Sequence, residues 1–511
     1  MENNHFEMVA KTFAGLEEVL AQELIDLGAA NVEPGRRMVS FEGDLEMLYR
    51  ANMCCRTALR ILKPIYKFIA DTPDALYEMI REFDWTAVLS LDKTFSIDTV
   101  VNSDEFTHSR FVTYRVKDGI VDFFRDRFGP DSRPKVRLQD ADVMINVHIA
   151  GDRVTVSLDS SGESLHKRGY RVAQTEAPIN EVLAAGIILK SGWRGDTPLV
   201  DPMCGSGTFL VEAALIAAGI NPGVYRRRFA FESWPDFDGE LFDRIYNDDS
   251  GERKFEHKIY GADISPKAVD IAMSNVKSAG VARYVDICCR PISQWTEAPA
   301  PEGVIITNPP YGERISADDM EGLYSTIGRV LKNVFSGWHA WIIGYHQEYF
   351  YKIGLAPSLK MPLYNGALEC ELREYVMFEG DYNAFRASGG TIKTDSKRPE
   401  KHDKARVSDG KWRADARRAG MGGKERRGPK RSGASRDLLS DRYRPKAGSR
   451  RYQENRHEAP EDENPLAARR NPHALKSVAG KRPSLPVPDS NVTMRPRRGW
   501  KRPEADADNQ N

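Results

Sequence analysis

An α/β fold on a parallel sheet, preceded by smaller α+β units and followed by a tail that does not fold, is what this sequence of 511 residues predicts. Three observations carry the prediction. From about residue 177, short apolar strands alternate with helical stripes, a succession that builds a parallel sheet with ligands at the carboxyl ends of its strands. Between residues 15 and 160, helices and period-two strands alternate in shorter units. From residue 386 onward Phe disappears, and Trp412, Tyr443, Tyr452 and Trp500 stand among Lys, Arg, Gly, Pro, Ser and Asp. That segment has too little apolar surface to offset chain entropy and is expected to be disordered.

Each element follows in order. Residues 15–27 place Leu16, Val19, Leu20, Leu24 and Leu27 on one helical stripe, and Gly28 stops it. Residues 37–41 return as a short strand, 45–62 as a helix, and 94–101 (Thr-Phe-Ser-Ile-Asp-Thr-Val-Val) as a strand alternating at period two. Residues 111–128 form a mixed apolar and charged helix, and 143–149 with 153–158 form a hairpin around Ala150-Gly151-Asp152. In the second half a helix spans 177–192, opened by Pro178 in a first-turn position. Strand 197–200 runs through a Gly-rich turn into helix 208–218, strand 258–262 leads to helix 266–279, and strand 304–307 ends in Asn-Pro-Pro-Tyr.

Charge divides the chain. Its 74 Lys and Arg balance 74 Asp and Glu, yet residues 386–511 hold 33 basic and 17 acidic side chains, a net +16, against −16 for residues 1–385. A basic tail of this kind suits a polyanionic partner, and the Arg-rich pieces at 411–418 and 424–431 suit RNA; a merely solubilising tail has the same composition. Deleting the tail is expected to weaken RNA binding and flatten its salt dependence if it touches RNA, with cofactor affinity intact. The six cysteines include two adjacent pairs and no C-x-x-C spacing, which argues against a disulfide framework and a zinc site. No apolar run approaches the roughly 18–20 residues that span a bilayer. A soluble protein of a reducing compartment, the cytoplasm, is expected, with no membrane partner and no metal.

Three signals carry chemistry. The first, Asp201-Pro202-Met203-Cys204-Gly205-Ser206-Gly207-Thr208, lies between a strand and a helix, where glycines let the backbone pass close to a ligand. It lacks the Gly-Lys-Ser/Thr ending of a phosphate loop and the third glycine of a dinucleotide fingerprint; alone, it is equally a tight turn that packs strand on helix. The second is Asp263, an acid at the end of the next strand, placed to accept hydrogen bonds from a ribose diol or to cap the helix that Ser265-Pro266 begins. It stands 56 positions past Gly207, against about 20 in a dinucleotide site, so residues 219–256 are an insertion. The third is Asn308-Pro309-Pro310-Tyr311 after an apolar strand. The lone pair of an aromatic amine is delocalised into its ring, so methylating it requires acceptors for its N–H groups and a surface for the ring. Asn308 and the Pro309 carbonyl supply acceptors, Pro310 stiffens the loop and Tyr311 stacks on the base. A Pro-Pro turn after a strand is the plain alternative, and register behind the other two signals argues against it.

In this order the motifs resemble those of class I S-adenosylmethionine-dependent RNA methyltransferases with an N-terminal THUMP domain, most closely the bacterial large-subunit rRNA guanine-N2 methyltransferases. The resemblance covers residues 6 to about 380 and includes Gly15-Leu-Glu-Glu, Phe41-Glu-Gly-Asp-Leu, Tyr49-Arg-Ala-Asn, Arg56-Thr-Ala-Leu-Arg, His166-Lys-Arg-Gly-Tyr-Arg and Asn308-Pro-Pro-Tyr-Gly-Glu-Arg. It implies a ferredoxin-like segment at 1–65, a THUMP RNA-binding domain at 66–164, a Rossmann-like class I methyltransferase domain at 165–385 and a disordered basic tail at 386–511. It further implies S-adenosylmethionine as cofactor, with Asp201, Gly205, Ser206 and Gly207 at its methionine end and Asp263 on its ribose. Asn308, Pro309, Pro310 and Tyr311 would hold the target base. Residues 166–171 are either a basic linker or a contact to RNA phosphate.

Two departures stand out. The family places an acid after the strand beyond Asp263 to hold the adenine amine; residues 288–295 contain none, Pro291 occupies the aligned position and Asp286 comes too early, which leaves backbone groups or Ser293. Some bacterial relatives continue into another methyltransferase domain where this chain continues into its basic tail, so one activity is expected. That activity is methyl transfer to the exocyclic N2 amine of a guanine in 23S rRNA. The alternatives are guanine-N2 methylation of tRNA, adenine-amine methylation, or a non-catalytic RNA-binding ribosome-assembly factor, which the missing adenine acid favours.

Overall fold

The structure, a computed structural model, describes residues 5–312, 316–378 and 380; the expected disordered tail lies outside the described residues, as do Glu313 and Arg314 of the Asn-Pro-Pro-Tyr-Gly-Glu-Arg motif. The first half supplies β1 (Phe6–Lys11), α1 (Glu17–Asp26), β2 (Ala30–Gly35), β3 (Met38–Gly43), α2 (Leu45–Cys54), β4 (Arg60–Ile69), α3 (Pro73–Glu82), β5 (Thr94–Asn102), α4 (Ser109–Phe128), β6 (Lys135–Val136), β7 (Val143–Ala150) and β8 (Arg153–Asp159). All eight strands join one sheet in the order β2-β3-β1-β4-β8-β7-β5-β6.

One strand makes this a single sheet. β4 pairs antiparallel with β1 through Arg60, Ile61 and Leu62, and with β8 from Leu62 to Ile69. The boundary expected at residue 65 therefore falls inside a strand. Pro64 has no N–H to give the ladder, and the register with β8 shifts between Pro64 and Tyr66. The helix expected over 45–62 is corrected: α2 begins on its Asp44 cap and ends at Cys54. The amides of Arg56 and Thr57, which would continue the helix, instead donate to the Glu23 carboxylate at 2.8 and 3.0 Å, and the chain leaves in an extended direction toward β4.

The second half supplies α5 (Glu181–Lys190), β9 (Leu199–Asp201), α6 (Thr208–Ala217), α7 (Gly239–Tyr246), β10 (Ile259–Asp263), α8 (Pro266–Ser278), β11 (Val285–Cys289), β12 (Gly303–Thr307), α9 (Ala317–Val334), β13 (Trp338–Gly344), β14 (Leu359–Asn365) and β15 (Leu368–Val376). The sheet order is β11-β10-β9-β12-β13-β15-β14, with β9 to β13 parallel and β15 antiparallel to both of its neighbours. This is the predicted parallel sheet, closed at one edge by a hairpin. Helices α5, α6 and α8 contribute to the core on one face and α9 to the core on the other. α5 starts later than expected because Asn180, not Pro178, caps it, its Oδ1 accepting from Val182 and Leu183.

The insertion over 219–256 is a brace. Phe231 stacks on Tyr49 of α2 with ring centroids 4.4 Å apart, Phe237 and Phe242 meet the same ring edge-on, and the Asp238 amide donates to the Tyr49 hydroxyl at 3.0 Å. Arg226, 4% exposed, donates to the carbonyls of Ser161, Glu163, Ser164 and Lys167, so the segment linking the two halves is gripped along its length.

Candidate active site

β9 delivers Asp201 to the carboxyl edge of the sheet, and the Gly-rich loop crosses from it to β10. The Cys204 amide donates to the Ala262 carbonyl at 2.8 Å and the Gly205 amide to Asp263 Oδ2 at 3.0 Å. Gly205 and Gly207 have φ of +52° and +78°, the left-handed region that favours glycine, and a Cβ on Gly207 would press on Ala272 at 3.1 Å. Asp263 is not the cap of α8: Ser265 Oγ accepts from the Ala268 amide, while Asp263 Oδ1 accepts from the Ser265 amide. Each Asp263 oxygen thus keeps acceptor capacity toward the crevice. Asp201 and Ser206, expected at the methionine end of the cofactor, are 1% and 4% exposed, and Gly207 is buried with them. Met203, Gly205 and Asp263 are the part-exposed members of the cradle, and Ile264 beside them is 71% exposed.

The loop is tied from a direction that sequence reasoning missed. Arg171 donates to Glu181 at 2.7 Å and to the hydroxyls of Ser206 and Thr208, both at 2.9 Å. Asn275 of α8 donates to the Ser206 carbonyl at 2.9 Å and accepts from the amides of Val172 and Ala173. The 166–171 segment is therefore chiefly internal. Arg168 is 2% exposed, paired with Glu212 and bonded to the carbonyls of Leu165 and Arg56, and the Tyr170 hydroxyl donates to Glu212 at 2.9 Å. Burial, with Arg168 and Lys167 adding to it, lowers the His166 imidazole to about 4. Lys167 alone of the three cations is exposed, paired with Glu163. A signal was available: Glu212 interrupts the apolar helix Thr-Phe-Leu-Val-Glu-Ala-Ala-Leu, and a carboxylate there requires a buried cation.

β12, beside β9, carries the second end of the site. Thr307 donates to Asp201 Oδ1 at 2.7 Å and the Met203 amide donates to the same oxygen at 3.2 Å, so one carboxyl staples the Gly-rich loop to the strand before Asn308. Burial pushes Asp201 up to about 7; the Thr307 and Met203 hydrogen bonds oppose the rise and the Asp263 charge adds to it. Asn308 Oδ1 is buried and has no hydrogen-bond partner among the described residues. Pro309 is buried and Pro310 exposed. The Tyr311 hydroxyl accepts from Asn365 Nδ2 at 3.3 Å, Cys370 Sγ stands 3.7 Å away, and the Tyr345 ring centroid lies 6.2 Å from that of Tyr311. Asn365, Cys370 and Tyr345 had no local sequence signal, because each meets Tyr311 only through the pairing of β13, β14 and β15.

At the β11 end, Asp286 is exposed and paired with Lys258 near the strand's amino end, so it does not serve the crevice. Exposed Cys288 and Cys289 stand opposite Ala262 and Asp263. The Arg290 guanidinium lies over the Trp295 ring at 3.7 Å, and its amide donates to the Asp263 carbonyl.

Comparison with known proteins agrees with this architecture. Residues 7–62 match the RlmL ferredoxin-like domain, 70–159 the THUMP domain and 168–374 the RMKL-like methyltransferase domain. Over 385 residues the chain is 38% identical to slr0064 of Synechocystis sp., named provisionally as an RNA methyltransferase, covering 73% of this chain and 97% of that protein. It is 39% identical over 378 residues to ribosomal RNA large subunit methyltransferase K/L of Syntrophotalea carbinolica; the match takes in 71% of this chain and 53% of that protein, about half its length. The crystal structure of SMU.472, provisionally named a methyltransferase and complexed with SAH, superposes with a TM-score of 0.67 at 31% identity, covering 75% of this chain and all of that one. On these matches the chain belongs to the RMKL-like methyltransferase family, with a RlmL-type ferredoxin-like domain and a THUMP domain ahead of its methyltransferase domain.

Proposed function

We propose that the protein transfers a methyl group from S-adenosylmethionine to the exocyclic N2 amine of a guanine in 23S ribosomal RNA. The observation that carries this reading is the buried, unpartnered Asn308 Oδ1, an acceptor that costs stability unless a donor arrives. An amine held there has one N–H on Asn308 and, by the motif, the other on the Pro309 carbonyl. Tyr311 supplies the stacking face. The cradle fits the cofactor by its donor set: Asp263 retains acceptor capacity for a ribose diol, and the Met203 and Gly205 backbone flanks it. When bound, the cofactor supplies an electrophilic methyl group.

The chain's own residues then hold the amine lone pair toward that methyl, and positioning provides most of the acceleration. Transfer would break the sulfonium–methyl bond as the C–N bond forms, leaving S-adenosylhomocysteine, and the amine, acidic once alkylated, would pass a proton by way of its Asn308 or Pro309 acceptor to water without a charged base. Two relatives named as large-subunit rRNA methyltransferases support rRNA as the substrate, and the THUMP domain supports RNA. The guanine is turned out of its stack to reach the pocket. The test is tritium transfer from labelled cofactor to 23S rRNA lacking the modification, with the product nucleoside identified by mass spectrometry. N2-methylguanosine in rRNA is expected. Label in tRNA, or in N6-methyladenosine, overturns the substrate; SAH failing to bind at millimolar concentration overturns the enzyme and favours an assembly factor.

A further inference from the structure

The Tyr311 hydroxyl ends a line of contacts that begins in the N-terminal domain. Asn365 closes β14 and Cys370, 1% exposed, lies on β15, so the two groups at that hydroxyl flank one hairpin turn. Two residues before Asn365, Leu363 is fully buried. A Cβ on Gly15 would stand 2.9 Å from Leu363 Cδ2 and 3.1 Å from the Pro362 carbonyl oxygen, and Gly15 itself has φ of +88°. The next residue, Leu16, is fully buried against α5, where a Cβ on Gly186 would stand 2.5 Å from Leu16 Cδ1. The turn between β1 and α1 is thus wedged between α5 and the hairpin, and glycines at 15 and 186 are what allow the close approach.

We propose that the β14–β15 hairpin is a positioning device for Tyr311, in which Asn365 grips the hydroxyl and the Gly15 turn of the N-terminal domain braces the hairpin through Leu363. A stacking ring tethered at one end through its loop and at the other through its hydroxyl keeps its plane when the base arrives; with the hydroxyl released, the plane must be ordered at each encounter. This rests on the proposed role of Tyr311 as the face for the target base. Asn365 and Gly15 act through Tyr311 and are positioning residues.

A double-mutant cycle tests it with the full-length chain. Tyr311→Phe and Asn365→Ala each lower kcat for methyl transfer to unmodified 23S rRNA by about three- to tenfold, the worth of one hydrogen bond, with KM for the cofactor unchanged. The double variant is no slower than the slower single. Losses that multiply overturn the grip. Gly15→Ala, or Leu363→Val where the first does not fold, likewise costs nothing further on the Tyr311→Phe background; a multiplied loss overturns the brace. A 3-fluorotyrosine at position 311 gives a readout independent of turnover: its fluorine resonance shifts in Asn365→Ala and Gly15→Ala, and an unmoved resonance overturns the device. A resonance that shifts in both variants while the wild-type chain methylates no RNA refutes the proposed function and leaves the device standing.

Discussion

The two ends of the crevice differ in how completely they satisfy themselves. At the β9–β10 end, the Gly-rich loop is bonded from every side: Asp263 holds the Gly205 amide, Asn275 the Ser206 carbonyl, and Arg171 the hydroxyls of Ser206 and Thr208. At the β12 end, where Thr307 donates to Asp201 at 2.7 Å, Asn308 presents a buried acceptor with no donor among the described residues. A closed network fixes a shape before the ligand comes, and preorganisation of that kind lowers the ordering cost of binding. An open acceptor does the opposite: it stores an unfavourable term that only the correct donor removes, which favours selectivity for an amine over affinity for any ring.

The largest effect should come from closing the open end. Asn308→Ala is expected to lower methyl transfer by about 100-fold or more, comparable to losing one aligned polar group at a reacting centre. SAH affinity by calorimetry should be unchanged, and the thermal midpoint equal to wild type or higher, since an unsatisfied group is removed. Full activity in that variant would break the contrast. Opening the closed end is the converse. Arg171→Met should weaken SAH binding by about ten- to 100-fold, as loss of charge-assisted hydrogen bonds does, while kcat at saturating cofactor stays within about twofold. It should also lower the unfolding midpoint, because Glu181, with its side chain 8% exposed, is left without the guanidinium. A kcat that falls with unchanged SAH affinity would move Arg171 to the acceptor side.

The last effect concerns the staple between the ends and is read in stability, and its sign follows from burial. Asp201 has its carboxyl raised in the fold from an ordinary 3.8 to about 7. Below pH 4 the group is neutral in both folded and unfolded chains. Between about 4 and 7 the unfolded chain ionises first, so stability falls as pH rises, and it levels off above 7. Asp201→Asn should lack this decline. Unfolding midpoints of the two proteins, followed from pH 4 to 8, should lie closest at the acid end and separate in favour of the variant toward the alkaline end; parallel curves would mean Asp201 ionises normally.

Much of the fold was legible in the chain because each of its signals is local. The 94–101 strand, the 111–128 helix, the 143–158 hairpin and the strand-loop-helix order after residue 197 follow from periodicity and turn residues, and β5, α4, β7, β8, β9 and α6 match them closely. The failures have a common cause. α2 ends at Cys54 because Glu23 captures the amide of Arg56, 33 positions on, and Asn180 outcompetes Pro178 through a side-chain cap. At the site, Asp263 and the Asn308–Tyr311 segment announce themselves by residue type after a strand. Arg171 does not, because a lone arginine in a basic run reads as surface until Glu181 and Ser206 are seen around it. Asn365 meets its partner across 54 positions of sequence, where no pattern of spacing applies.

β4 has a mechanical consequence. Its first residues complete the ladder of the ferredoxin-like part through β1, and the rest complete that of the THUMP part through β8, with Leu62 paired on both sides. β4 is the border strand that both parts share, and neither can lose it without exposing an edge of the other, so residues 6–159 should melt and refold as one cooperative unit. The ladder between β4 and β8 joins segments some ninety positions apart, so a chain emerging from the ribosome holds half a sheet with an open edge until β8 arrives. Synthesis therefore passes through an aggregation-sensitive interval that ends only as the methyltransferase half begins to appear.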